Sequence, residues 1–201
     1  MKNKITKGKK MKGEWCYFKS YYSKDICEKI IKDVQELPAQ DAMLGDGLTS
    51  HSNNDVRRSK IRFIHNGDWR FQYLFDALWK TAIQANNDFF NIHITKLDFV
   101  QVAEYDSAYQ GEYKVHHDVF WLNNDPDYHR KLTCVIQLSD PSTYEGGNLE
   151  FTDTTFHPPA DEIREQGTAI FFPSMFMHRA TPVTKGVRYS VAAWFEGPKW
   201  R

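Results

Sequence analysis

Two regimes of hydrophobic spacing divide this chain. Between residues 23 and 90, apolar side chains recur three or four positions apart. Ile26, Ile30, Val34 and Leu37 mark one amphipathic helix, with Ser23 placed to cap its start and Pro38 to stop it. Phe71, Leu74, Phe75, Leu78, Trp79, Ala82 and Ile83 form the apolar stripe of a second helix, over roughly 69–87, entered through the turn at 66–68. Between the two lie a polar, glycine-containing stretch at 41–55 and a strand over 59–64. After Asn91 the texture changes to short β-like runs at 94–105, 113–121, 131–138, 147–151, 168–172 and 187–195, separated by Gly, Pro and Asp. Many short strands at regular spacing predict a sandwich or jelly roll. The expected fold is therefore mainly β: a double-stranded β-helix (jelly-roll) barrel, with the N-terminal helices packed on one sheet.

Length changes this picture little. A chain of 201 residues fits one domain. The expected division is a basic flexible tail over 1–14 and a single domain over 15–201, with helical support at 15–90 and the barrel core at 91–197. Net charge is zero, which removes any global electrostatic case for nucleic acid or a membrane surface. The first twelve residues hold six lysines, which suit a solvated tail better than an arm for an acidic partner. No apolar run reaches membrane-spanning length and no signal peptide opens the chain. Cys16, Cys27 and Cys134 are odd in number and fit no CxxC pattern, so free thiols in a reducing cytoplasm are expected. Aromatic residues make up 15% of the chain, a share that suits bulky core packing first and an aromatic-lined pocket second.

The candidate chemistry begins in the run Y-K-V-H-H-D-V-F-W at 113–121. Side chains alternate faces along a strand, so His116 and Asp118 point one way and His117 the other. Alone, an H-x-D pair is weak evidence in a chain with 8 histidines. A mononuclear iron site of the two-histidine, one-carboxylate type needs one more histidine. His178 lies amid apolar residues sixty positions after Asp118, and Arg188 sits on the next strand. A guanidinium within an apolar strand is costly unless it meets an anion. Ser190 shares its face, so the two make a cradle for a carboxylate. Three ligands leave three positions open, two for a 2-oxo acid and one for dioxygen. The far carboxylate of 2-oxoglutarate would then meet Arg188. Rival readings are a non-catalytic jelly-roll module with a structural metal, and a zinc enzyme, which leaves Arg188 without a client.

Three ordered motifs carry a family resemblance over about residues 55–197. Y-Q-G-E-Y-K-V-H-H-D (109–118) resembles the G-x-Y-x-x-H-x-D element of iron(II)/2-oxoglutarate-dependent dioxygenases of the prolyl 4-hydroxylase-like group. Y-E-G-G-N-L-E-F (144–151) is similar to that group's Y-x-G-G-x-L-x-F strand, and 178–190 to its distal H-x-x-x-P-V-x-x-G-x-R-x-S element. D-V-R-R-S-K-I-R-F (55–63) is similar to an R-x-S strand start in the same group. The resemblance implies that His116, Asp118 and His178 bind Fe(2+), and that Arg188 pairs with the 5-carboxylate of 2-oxoglutarate. It implies that Tyr105 donates to the same carboxylate and that Ser190 assists. Where oxygen-sensing relatives carry a second co-substrate tyrosine, this chain has Gln137, whose amide can still donate. Arg188 in place of lysine points away from collagen-type enzymes, to the oxygen-sensor-like, bacterial and viral branches. The implied reaction hydroxylates a C–H bond, on group analogy in a prolyl residue of a protein or peptide. O2 is the second co-substrate, succinate and CO2 are products, and ascorbate is an accessory reductant. Another residue type or a small metabolite stays open as substrate, as does the oligomeric state.

Other residues read more plainly. His117 is expected at the rim, and His51, His65, His93, His129 and His157 at the surface. Gly146 and Gly147 suit a bulge with close backbone approach. Trp194 reads as core before site lining, and Arg57 and Arg58 as a solvated strand edge before a substrate contact. The stretch 41–55 is a candidate lid or simply a mobile loop.

Overall fold

Ser23 starts the first helix as its position predicts: its hydroxyl accepts from the Ile26 amide at 3.4 Å. Helix α1 runs Lys24–Val34, with Asp25 in its first turn and Lys32 in its last, each complementing the helix dipole. It ends sooner than Pro38 requires; the chain reaches Leu37 through single turns, with the Leu37 amide donating to Val34 at 3.0 Å. Asp68 caps a 3-10 turn at Trp69–Phe71, which leads into α2, Gln72–Ala85. A π turn at Asn86–Phe90 extends α2 until Asn91 takes a left-handed conformation. Leu74, Phe75, Leu78 and Ala82 are buried as the stripe predicts, whereas Ile83 is 51% exposed at its edge.

The structure is a computed structural model that describes residues 12–42, 55–119, 121 and 127–200. Most of the lysine-rich start, and residues 43–54 of the lid candidate with His51, lie outside the described residues. Residues 12–14, assigned to the tail from sequence, are tied down. The Lys12 amide donates to Phe89, and the Glu14 carboxylate accepts from Thr155 and Phe156.

Two sheets form a jelly roll. The larger contains β1 (Cys16–Phe18), β2 (Gln40–Asp41), β4 (Lys60–His65), β5 (Phe99–Asp106), β7 (Tyr128–Gln137), β10 (Ala169–Pro173) and β13 (Val187–Pro198). They lie antiparallel in the order β1-β10-β7-β13-β5-β4-β2. The smaller contains β3 (Arg57–Arg58), β6 (Glu112–His116), β9 (Leu149–Phe151) and β11 (His178–Ala180), in the order β3-β6-β11-β9. A separate pair joins β8 (Glu145–Gly146) to β12 (Val183–Lys185). Sequence periodicity missed β1, β2, β8, β11 and β12 because each is three residues or fewer, too short to show a period. A short helix, α3 (Ala160–Arg164), was missed for the same reason.

The alternation of the central strands decides what faces what. On β13, Val191, Ala193 and Phe195 point to the helix side, where they join Val100, Val102, Leu132, Cys134 and Ile136 under α1 and α2. Full burial of each such large side chain stabilises by about 1.5–3 kcal/mol, so this layer holds the helices on the sheet. The alternate residues, Arg188, Ser190, Ala192 and Trp194, face the space between the two sheets. Gln101, Ala103 and Tyr105 of β5 and Thr133 and Val135 of β7 do the same. No described helix is long and apolar enough to cross a membrane. All three cysteines are buried free thiols, and burial pushes Cys16 up to about 12 and Cys27 up to about 11.

Candidate active site

His116 and His178 come together because β6 and β11 pair antiparallel with these two residues directly opposite each other. Asp118 joins them from just beyond β6. The strand expected to run on to 121 stops at His116, and the Asp118 amide turns to donate to the Ser174 carbonyl at 2.8 Å. His116 Nε2 lies 3.7 Å from Asp118 Oδ1, and His178 Nε2 lies 3.6 Å from Asp118 Oδ2. The three candidate ligand atoms all fall within 4.8 Å of one another, the only such His/Cys/Asp/Glu group among the described residues.

The ring orientations are fixed by carbonyl groups. His116 Nδ1 donates to Lys114 O at 2.7 Å and His178 Nδ1 to Phe176 O at 3.0 Å. A carbonyl only accepts, so each Nδ1 carries the hydrogen and each Nε2 is the ring nitrogen turned to the centre. Tyr113 stacks on His116 at 3.4 Å, and Phe172 meets His178 edge-on at 4.7 Å. Burial, and then the neighbouring His178, push the His116 pKa down to about 3, so the ring is neutral near pH 7. Burial works to raise the Asp118 pKa. The His178 and His116 rings, Arg130 and the Thr133 hydroxyl outweigh it, so the carboxyl titrates below its usual range. Two imidazoles and one carboxylate are a donor set suited to ferrous iron.

Arg188 is 2% exposed on β13, opposite Tyr105 of β5. Its Nε and Nη2 donate to Gln137 Oε1 at 3.2 and 2.8 Å. Arginine has no acceptor, so the oxygen of the Gln137 amide must face it. Gln137 therefore acts on the guanidinium through its carbonyl, where sequence reasoning had weighed the amide as donor. No carboxylate among the described residues pairs with Arg188, which sits 5.3 Å from the Tyr105 ring centroid. Ser190 is buried two residues on and opposite Gln137 in the β13–β7 register.

Two glycines make room for this arrangement. A Cβ at Gly111 would lie 2.7 Å from the Tyr105 Cα, so only glycine lets β6 leave beside β5 there. Gly147, at φ +62°, leaves space for the Arg188 stem; a Cβ would fall 2.8 Å from Arg188 Cδ and 2.9 Å from Val183. If Arg188 meets the far carboxylate of 2-oxoglutarate as the resemblance implies, Gly147→Ala is expected to displace the guanidinium and raise the 2-oxoglutarate concentration needed for half-maximal turnover by about 10- to 100-fold. A co-substrate titration of the variant checks this; an unchanged requirement would show that Arg188 tolerates the shift.

These residues line one cleft. His116, Asp118, His178, Tyr105, Arg188 and Ser190 all face it, while Gln137 stands behind Arg188. Sequence reasoning undervalued two lining residues. Arg57, read as a solvated strand edge, is 6% exposed, stacks over Tyr113 at 4.3 Å and donates to Ser59. Trp194, read as core, lines the cleft beneath the Arg130 guanidinium at 4.0 Å. Both sit at alternation positions that point inward, the one signal that would have found them. Arg58 is instead structural, paired with Glu112 and bonded to the Tyr109 and Gln110 carbonyls. His117 is exposed at the rim as expected, and so are His65, His93 and His157 at the surface. His129 is not; it is 5% exposed because it lies on β7, beneath Trp121.

The comparisons agree with this geometry. The sequence profile of the 2OG-Fe(II) oxygenase superfamily matches residues 100–196. A PKHD-type hydroxylase of Aliarcobacter butzleri is 28% identical over 157 residues, covering 75% of this chain and 66% of that protein. Another, of Teredinibacter turnerae, is 33% identical over 88 residues, covering 43% of this chain and 38% of that one. The match thus spans less than two thirds of these relatives' length. Among solved structures, a Pseudomonas putida prolyl-4-hydroxylase superimposes with a TM-score of 0.67 at 18% identity, over 92% of this chain and 94% of that one. The viral collagen prolyl hydroxylase of Paramecium Bursaria Chlorella virus-1 gives 0.66 at 18% identity, over 92% and 96%. A Trichoplax adhaerens prolyl hydroxylase, in complex with a hypoxia inducible factor oxygen degradation domain peptide fragment, gives 0.69 at 18%, over 91% and 83%. At such identity these likenesses show the fold. The profile match runs through every strand that carries the cluster and Arg188, so this region is similar to the 2OG-Fe(II) oxygenase superfamily, and the fold is prolyl 4-hydroxylase-like.

Proposed function

We propose that this protein is a 2-oxoglutarate-dependent dioxygenase that hydroxylates a C–H bond in a prolyl residue of a protein or peptide. One observation carries the reading: His116, Asp118 and His178 converge on a single point in a cleft that also receives a buried guanidinium with no carboxylate partner among the described residues. In this reading the two Nε2 atoms and the Asp118 carboxylate hold Fe(2+). Bound iron would supply the redox chemistry that joins O2 to the keto acid and the substrate. One oxygen atom ends in succinate, with loss of CO2, and the other in the hydroxyl group, so the reaction balances.

The chain's own residues bind and orient. Arg188, held by Gln137, receives the far carboxylate of 2-oxoglutarate, with Tyr105 and Ser190 beside it. The apolar side chains Val135, Leu149 and Ala192 exclude water from the keto-acid end. Arg57, Tyr113 and Trp194 face the remaining space and suit an extended peptide: a donor fork and two flat rings. Support for a prolyl substrate comes from the descriptions of the three solved neighbours, one of which holds a peptide. We assign the activity to a single domain over 15–201 working in the cytoplasm, where the three buried thiols stay reduced, with ascorbate as accessory reductant. The test is incubation with proline-containing peptides, Fe(2+), ascorbate and 2-oxoglutarate. Succinate and a peptide heavier by one oxygen atom at proline are expected. Succinate formed with oxygen on another residue would move the substrate class; no iron-dependent succinate with any peptide would end the reading.

A further inference from the structure

Behind the cluster lies a buried chain of hydroxyls. Thr133, on β7 in the middle of the large sheet, and Ser174, at the turn that leads from β10 to β11, are both fully buried. Thr133 Oγ1 donates to Asp118 Oδ2 at 2.8 Å and lies 2.9 Å from Ser174 Oγ. A hydroxyl has one hydrogen. Thr133 spends its hydrogen on the carboxylate, so Ser174 must donate to Thr133, and the chain runs in one direction. Ser174 also accepts the Asp118 amide through its carbonyl, while its own amide donates to Lys131. The segment that bears Asp118 and the segment that bears His178 are thus tied to each other and to the sheet at one residue.

The geometry points to Thr133, supported by Ser174, as the positioning residue that decides how Asp118 presents its carboxylate; this rests on the metal site proposed above. The two oxygens of Asp118 are almost equally close to the two Nε2 atoms, at 3.7 and 3.6 Å. Nothing in those distances chooses between one oxygen and both as ligands. The Thr133 hydrogen does choose. It occupies a lone pair of Oδ2 and stops the carboxyl from rotating, which leaves Oδ1 as the oxygen without a donor among the described residues. A carboxylate restricted to one oxygen keeps three coordination positions open, the number that a chelating keto acid and dioxygen require.

The test uses the full chain and Co(2+) as probe. Thr133→Val removes the hydroxyl, and Thr133→Ser keeps it. Loss of a supporting hydrogen bond of this kind is expected to weaken Co(2+) binding about 10- to 100-fold. The visible spectrum of the cobalt-saturated protein should also change, as the second carboxylate oxygen replaces a water ligand. Thr133→Ser should restore affinity and spectrum. Ser174→Ala, which removes only the second hydrogen bond, should move both in the same direction by less, and it serves if Thr133→Val fails to fold. Unchanged affinity, or weaker binding with an unchanged saturated spectrum, or no rescue by serine would overturn the assignment. Failure of the unaltered protein to bind Co(2+) would instead overturn the metal site itself.

Discussion

Replacing His178 by alanine is expected to abolish iron-dependent succinate formation while leaving the chain folded. The imidazole is one of only three candidate ligands. Removing it should cost more than the roughly 10- to 100-fold in metal affinity that follows loss of a supporting group. The fold should survive, because His178 lies at the cleft and contributes little to the helix–sheet core. Its ring contacts are Phe172, Phe151 and His116, and the void left is open to the cleft on one side. A destabilisation of about 1–3 kcal/mol, typical of a buried substitution, is expected in a denaturant titration. Succinate production at the normal rate by a folded variant would defeat the site assignment.

The second large effect is at Arg188. Here the argument is electrostatic. A guanidinium that is 2% exposed and, among the described residues, bonded only to an amide carbonyl is poorly compensated in the free protein. Its charge becomes favourable when a carboxylate arrives. Truncating one partner of such a buried charged pair costs about 2–5 kcal/mol, and each 1.4 kcal/mol is tenfold, so Arg188→Ala should raise the 2-oxoglutarate requirement from roughly 30-fold to several thousandfold. Arg188→Lys keeps the charge but loses the planar fork, and should fall between. A keto acid that lacks the distal carboxylate should discriminate little between the unaltered protein and Arg188→Ala. The variant's own thermal stability should be equal or higher, since the uncompensated charge is gone. Equal 2-oxoglutarate requirements before and after the change would remove Arg188 from its role.

Much of the site was legible in the sequence because strand alternation is a strict period of two. That period places Arg188, Ser190 and Trp194 on one face and Val191, Ala193 and Phe195 on the other. Read for all strands together, it would have flagged Trp194 and Arg57 as lining. At Asp118 the outcome held, but for another reason. The expected strand ends at His116, and Asp118 faces the centre because its amide bonds to Ser174, a contact between residues 56 positions apart. Gln137 is a similar case. Its place beside Arg188 followed from a resemblance, but which end of its amide meets the guanidinium depends on the donor it faces.

The sequence by itself determined the two helical stripes, the alternating strands, the ordered motifs and the residue types of the cluster. These are local or family-level properties, carried by spacing within one segment. Only the tertiary structure decided that β6 and β11 pair with His116 opposite His178, that Gly147 yields its Cβ space to the Arg188 stem, and that Thr133 and Ser174 steady Asp118. The reason is physical: each depends on packing and hydrogen bonding between segments far apart in the chain, and such contacts exist only after the sheets have closed on one another.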